Sequence, residues 1–360
     1  YNFVEKKREQ TTVSRWYLRF GKIHAPFSLE QIDALHEIHA PQGHVYADPF
    51  IVEENGRSFI FLEEVAPDHP VGFLSAMEVF ADGTHTAAQA IIKCDYHLSY
   101  PCVFKHEDTW YMIPESAQNN SIELWKCTNF PYQWQLDHVM MDNINSADTT
   151  PFYHAGNWYL FCALKTKNSK KYGNELHIFT SQDLFSQNWQ AHPQNPVKKG
   201  ILQFRPGGHL VQLNQKLLRP SQDSIKRYGG SLDLNEVVEL SPTRYQEKFY
   251  MKLDSQWHPQ DNGCHTFNIF NDSIVIDAIS AILGERAYRD MIRTGSNKAS
   301  VRAVFTNVPE FPWFAENGVE YDPETIIQRE VYLDGKNICR VNGSLVTVSI
   351  LRKLGIQLIN

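Results

Sequence analysis

The residues able to do chemistry in this chain recur at one kind of place, just ahead of a short apolar run. Asp48, Tyr100, Asp148, Arg205 and His265 each precede such a run, at intervals of roughly fifty residues. Glu115, within Pro114-Glu115-Ser116, and Glu63 are further acids beside these runs. Carboxylates held over one narrow channel repel each other, so one can stay protonated while another ionises; that is the condition for general acid–base work. Arg205 and Arg219 could grip a carboxylate or phosphate through two parallel hydrogen bonds. Gln222 and Asp223 follow on the same stretch, and His265 could shuttle a proton. Each residue has a plainer role to weigh against this. Asp48 and Asp148 could cap strand ends as Asx turns. The arginines could lock the elements together, for instance Arg219 with Asp223 or Asp148, and His265 could be a hydrogen-bonded wall residue.

Positioning such residues requires rigid elements, and the chain supplies hairpins. Tyr46 to Val52 runs in, Glu54-Asn55-Gly56-Arg57 turns, and Ser58 to Leu62 runs back. Asn-Gly between two β-rich apolar runs is a strong hairpin signal, because both residues accept positive φ. The unit recurs over 99–115, 148–161, 205–220 and 265–277, with outer-strand candidates such as 72–79, 121–126 and 175–180. A repeat of about 40 to 50 residues with several strands per unit predicts β-propeller blades. One blade cannot bury its own apolar face, so neighbours must stack around an axis. The predicted class is all-β, a five-bladed propeller whose first strands line a central channel, followed by a small α+β fragment. Ser14 to Phe20 alternates polar and apolar and is expected to complete the last blade. Trp110, Tyr111, Trp158 and Tyr159 recur at one blade position and read as core.

Hydrophobic residues at 42% and charged residues at 21% describe a chain able to bury a sizeable core. The net charge of −7, with all the excess acid before Ile274, gives nucleic acid no footing on the propeller. Six cysteines stand without a CxxC spacing, so no zinc or redox motif is indicated. Cys102 and Cys162 fall inside apolar strands as small core residues. No cofactor, metal or membrane segment is predicted. Tyr1 to Arg19 lacks the apolar region of a signal peptide, and there is no initiating Met. The expectation is a cytoplasmic protein whose native N-terminus is missing. Lys165 to Tyr172, basic and turn-rich, is expected to loop over one face.

Six motifs in order, from Ala47-Asp48-Pro49-Phe50 through Arg205-Pro206-Gly207-Gly208 to Cys264-His265-Thr266-Phe267-Asn268, resemble the N-terminal domain of glucosamine inositolphosphorylceramide transferases and their bacterial relatives. The resemblance covers about residues 14–277, in a domain similar to the five-bladed propellers of family 43 glycoside hydrolases. It implies a carbohydrate or sugar phosphate as partner, bound in the channel. It also implies Asp48 as general base and Asp148 as the residue that tunes the acid. The general-acid Glu expected at the start of the fourth blade is missing, because Arg205 stands there. Glu115 is the best substitute and Glu63 the next. For hydrolysis with inversion, two carboxyls would have to lie about 6.5–9.5 Å apart across the bond. Two functional expectations follow: a glycosidase- or glycosyl-transfer-like site built on Asp48, Glu115 and Asp148, or a non-catalytic glycan-binding module. Glu63, Arg205, Arg219, Gln222, Asp223 and His265 would contact the ligand in either case.

From Ile274 the text changes. Residues 274–305 and 328–355 resemble the DNA repair ATPase RecN just after its phosphate-binding loop. A helix over Ile276–Gly284, a strand at Val301–Phe305, a hairpin turning at Asp334-Gly335 and a final helix over Val348–Leu358 are expected. The residues ahead of the first helix, Phe270-Asn271-Asp272-Ser273, hold neither the Gly nor the Lys that would cradle phosphates. ATP binding is therefore not predicted. The domain limits are placed at 1–278 for the propeller and 279–360 for a non-functional fragment, expected to be loosely packed against the propeller or partly disordered. A junction at a short shared sequence accounts for the pattern better than an evolved two-domain enzyme.

Overall fold

The computed structural model describes residues 15–164, 175–199, 204–223, 230–254, 261–280, 297–305, 308–332, 336–348, 350–351 and 354. The expected loop over 165–172 and the turn at 334–335 lie outside them. The chain divides into two compact units, 15–279 and 280–360.

In the first unit β1 (Arg15–Lys22) and β2 (His36–His39) come before a run of antiparallel sheets. The first sheet is β3 (Val45–Glu54), β4 (Arg57–Ala66), β5 (His69–Val79) and β6 (Gln89–Ile92), in chain order. The second is β7 (Ser99–His106), β8 (Thr109–Glu115), β9 (Ser121–Asn129) and β10 (Gln133–Asp142). The third is β11 (Ser146–His154), β12 (Asn157–Leu164), β13 (Glu175–Ser181) and the short β14 (Gln190–Ala191) and β15 (Lys198–Lys199). The fourth is β16 (Val211–Leu213), β17 (Lys216–Asp223), β18 (Ser231–Leu240) and β19 (Tyr245–Asp254). The fifth joins β20 (Asp261–Gly263), β21 (Phe267–Phe270) and β22 (Ser273–Ser280) to β1 and β2, so strands from both ends of the unit share a sheet.

The hairpins form where both turn residues tolerate positive φ: Asn55 and Gly56 at 52° and 73°, Ala155 and Gly156 at 48° and 81°. Apolar faces then pack sheet against sheet. Phe50 and Phe61 meet Tyr100 and Met112; Ile113 and Leu124 meet Trp158 and Leu160; Phe161 and Ile178 meet Leu210 and Tyr245. Leu232 and Leu253 meet Phe267 and Ile276, and Leu18 and Val275 meet Ile51 and Ile60. Each sheet therefore shares a core with the next, and the fifth shares one with the first. Each fully buried Leu, Ile or Phe contributes about 1.5–3 kcal/mol to this packing. The fold is β-propeller-like. Trp110, Tyr111, Trp158, Tyr159, Cys102 and Cys162 all lie in these cores.

One expected element is corrected here. Ile276 to Ser280 belongs to a strand, not to the start of a helix, and 281–284 lie outside the described residues. A short apolar run fits either state by pattern; antiparallel pairing of Phe267 with Ile276 and Asn268 with Val275 decides it.

The second unit is described by itself. β23 (Lys298–Phe305), β24 (Thr325–Tyr332), β25 (Asn337–Val341) and β26 (Ser344–Val346) form an antiparallel sheet, and Pro312–Glu316 forms a short helix. Trp313, Phe314, Ile327, Cys339, Val341, Leu351 and Leu354 make a buried cluster. The sequence did not lead us to expect this local core. The helix at Pro312–Glu316 and strand β26 were not foreseen. Residues 348, 350, 351 and 354 are helical, within the expected final helix. Among the described residues no helix is long and apolar enough to cross a membrane.

Candidate functional site

The site starts from a backbone device used three times. Between Ala47 and Phe50, Ser99 and Cys102, and Ala147 and Thr150, the register of the first strand against the second slips by one residue. The residue inside each slip has positive φ: Asp48 at 50°, Tyr100 at 46° and Asp148 at 53°. A bulge of this kind re-aims a side chain away from the regular alternation. Left-handed φ suits Asp and is costly for Tyr. Tyr100 is held there by hydrogen bonds of its hydroxyl to the Gly208 N–H at 2.7 Å and Thr150 Oγ1 at 2.9 Å. Directly across two of the slips the second strand carries an acid, Glu63 opposite Ala47 and Glu115 opposite Ser99; across the third, Ala147 faces Ala163.

The fourth and fifth copies close in on the same place. Gly208, at φ 137°, lets the chain pass against β21, where a Cβ would stand 2.0 Å from the Phe267 carbonyl oxygen. The Phe267 N–H donates to Gly207 O at 2.8 Å, and Asn268 Nδ2 donates to Pro49 O at 2.7 Å. These bonds tie the inner strands of three sheets together.

Arg205 is the hub of one half of the site. Its Nε donates to Asp148 Oδ2, and its Nη2 donates to Asp148 Oδ1 at 3.1 Å and Glu115 Oε2 at 3.3 Å. Gln222 Nε2 donates to Asp148 Oδ2 at 2.8 Å and to Pro206 O at 2.9 Å. Burial, then the neighbouring Asp148, push the Glu115 carboxyl well above its usual range, against the pull of Arg205.

His265 is the hub of the other half. Its Nδ1 lies 2.8 Å from Asp277 Oδ2 and 3.3 Å from Asp48 Oδ1. Asp277 Oδ1 also accepts the backbone N–H groups of His265 and Thr266 at 2.8 and 2.9 Å. The Thr266 hydroxyl donates to Asp48 Oδ1 at 2.8 Å, and the Trp16 ring lies over His265 at 4.4 Å. Burial opposes charge on His265, but Asp277 and Asp48 outweigh it and raise its pKa to about 9. Asp48 rises to about 6, chiefly through burial and against the attraction of His265. Glu63 rises to about 8, through burial and then the proximity of Asp48.

Asp48, Glu63, Glu115, Asp148, Arg205, Gln222 and His265 are thus brought together. Arg219 and Asp223 are engaged elsewhere. Arg219 is fully buried and donates to Glu247 through Nε at 2.7 Å and Nη2 at 2.8 Å. The expected partner, Asp223 or Asp148, is replaced by Glu247, and Asp223 accepts from Lys252 Nζ at 2.7 Å. Asp277 and Thr266 were missed by the sequence reading. Asp277 lies in the second strand of its copy, as Glu63 and Glu115 do in theirs, and that shared place was the available signal.

The family described as glucosamine inositolphosphorylceramide transferase 1, N-terminal, matches residues 32–269. The chain belongs to this family. Among curated relatives, glucosamine inositolphosphorylceramide transferase 1 of Oryza sativa subsp. japonica is 30% identical over 204 residues, 56% of this chain and 27% of that protein. The chain thus spans about a quarter of the length of such relatives. DNA repair protein RecN of Halalkalibacterium halodurans is 40% identical over 92 residues, 24% of this chain and 16% of that protein. Among solved structures, Zg3597, a family 117 glycoside hydrolase from Zobellia galactanivorans, superposes with a TM-score of 0.47 at 11% identity. That superposition covers 74% of this chain and 90% of the hydrolase. In this family member, every residue of the acid cluster up to Asn268 lies within the matched span, and Asp277 lies beyond it.

Proposed function

We propose that the five sheets of residues 15–279 act as five blades around a channel that handles a carbohydrate, with an acid–base pair of the glycosidase kind. The observation that carries this is the spread of environments within one carboxyl cluster. Asp48, raised to about 6, is largely ionised at neutral pH and suits a base. Glu63, raised to about 8, keeps a proton to donate, and burial and Asp148 push Glu115 upward as well. Asp148, clamped by Arg205 and Gln222, would orient and tune the acid.

The charge balance favours a neutral sugar over a sugar phosphate. Arg205 is already paired with Asp148 and Glu115, and His265 with Asp48 and Asp277. A phosphate would have to displace those carboxylates. A non-catalytic glycan-binding module is the second reading, favoured by Arg205 standing where the resemblance places an acid.

A panel of nitrophenyl glycosides, with Asp48→Asn and Glu115→Gln beside the wild type, tests the first reading. Turnover that both substitutions leave unchanged would end it, and sugar binding without product would favour the second. Failure to bind any sugar would count against both.

The RecN-like part is proposed to bind neither ATP nor DNA. In support, residues 270–273 form the turn of the β21–β22 hairpin, and Asp272 is paired with Lys22 at 2.6 Å. A phosphate-cradling loop at that place would need N–H groups turned to the ligand and a Lys.

A further inference from the structure

Glu63 faces the channel on one side, where Asp48, Asp148, Arg205 and His265 are near enough to influence its charge. On its other side stands His97, in the connection between β6 and β7. His97 Nε2 lies 3.3 Å from Glu63 Oε1, and His97 Nδ1 accepts the Gly72 N–H at 3.1 Å. A ring nitrogen that accepts a backbone N–H carries no proton, so the imidazole is neutral with its hydrogen on Nε2. Burial also lowers the His97 pKa, in agreement with that tautomer.

The backbone carrying the ring is held at two points. The His97 backbone N–H donates to Gln118 Oε1 at 2.5 Å, and the Leu98 N–H donates to Gly72 O at 2.9 Å. A further constraint, on the ring, is Gly72 itself. A Cβ there would stand 2.5 Å from His97 Cε1 and 2.7 Å from Glu63 Oε1. The missing side chain is what allows the two groups to meet.

We propose that His97 is a positioning residue that makes Glu63 the proton donor of the channel. The inference rests on the carbohydrate reading and goes beyond it by naming the donor. His97 Nε2, 3.3 Å from Oε1, would offer that oxygen a donor once the ring and the carboxyl align, leaving the acid proton to Oε2. On cleavage the Oε2–H bond breaks and its electron pair stays on Glu63, while the proton goes to the departing glycosidic oxygen. Water bonds to the anomeric carbon and passes its proton to Asp48; exchange with solvent then returns both carboxyls to their starting states. The His97 N–H stabilises the carboxylate left behind. Glu115 is the less free of the two to turn to a sugar, because its Oε2 already accepts from Arg205 Nη2 at 3.3 Å.

The test needs no sugar. The full chain is labelled with carbon-13 at its glutamate carboxyls, Glu63 is assigned by Glu63→Gln, and its resonance is followed against pH. Removing the donor with His97→Leu should raise the Glu63 midpoint, and His97→Gln, whose amide can donate, should restore it towards the wild type. His97 is 35% exposed, so these variants should fold; should the leucine variant not, His97→Asn, too short to reach, gives the same comparison. An unmoved midpoint, or a wild-type Glu63 that titrates near the ordinary 4.5, overturns the proposal. Sugar binding measured on the same samples separates the two ideas. An unmoved midpoint with intact binding removes only the role of His97, and the expected titration without any sugar binding removes only the carbohydrate reading.

Discussion

Replacing Arg219 by methionine should destabilise the propeller-like unit and leave sugar binding intact. Arg219 is fully buried, and its guanidinium makes two hydrogen bonds to Glu247. Glu247 also accepts the Tyr245 hydroxyl at 2.5 Å and pairs with Lys198. Burial pushes the Glu247 carboxyl up, but Arg219 and Lys198 outweigh it and bring it to about 2. Breaking a buried pair by removing one partner costs about 3–5 kcal/mol. Lys198 remains beside Glu247, so the lower end, about 3 kcal/mol, is expected. For a unit of this size that lowers Tm by roughly 6–12 °C. The sign with pH follows from the depressed carboxyl. Its stabilisation is present above the ordinary 4.5 and is lost as pH falls towards about 2. Arg219→Met should therefore lose stability at neutral pH and show a flatter acid limb than the wild type. Scanning calorimetry across that range reads both effects, and titration with a bound sugar reads the rest. A variant that keeps its Tm and loses the sugar would refute the reasoning and return Arg219 to the channel.

Three further outcomes are expected. His265, raised to about 9 from 6.5, contributes stability that is complete below 6.5 and lost as pH rises through 9; His265→Gln should remove that slope in denaturant titrations. Glu63, held at about 8 against 4.5, makes stability fall over that window for the same reason of proton uptake by the folded state, so Glu63→Gln should flatten it. Truncation after Ile279 should leave the unfolding midpoint of the first unit nearly unchanged and take no ATP binding away; a collapse of the truncated chain, or micromolar ATP binding by the full one, contradicts the division of labour.

Much of this arrangement was legible in the sequence because its signals are local. Asn55-Gly56 and Ala155-Gly156 mark hairpins through φ alone, and the recurring polar residue ahead of each apolar run picked out Asp48, Asp148, Arg205 and His265. What escaped depends on pairing partners distant in sequence. Asp277 was passed over because its run reads both as the fifth copy's returning strand and as the start of a helix, and pairing with β21 decides between them. Arg219 read as a ligand contact because Glu247, its partner two strands away, carries no mark of the pairing. The three register slips leave no composition signature, yet they turn Asp48 and Asp148 out of the regular alternation.

The central claim is that the carboxyl cluster is where a carbohydrate binds. A crystal structure of the chain with a sugar that binds in calorimetry tests it most directly. The account predicts a sugar ring with hydroxyls within hydrogen-bond reach of Asp48 and Arg205, Glu63 Oε2 turned to the anomeric oxygen, and Arg219 still on Glu247. A sugar seated anywhere else on the unit, with the cluster unchanged and untouched, would contradict it.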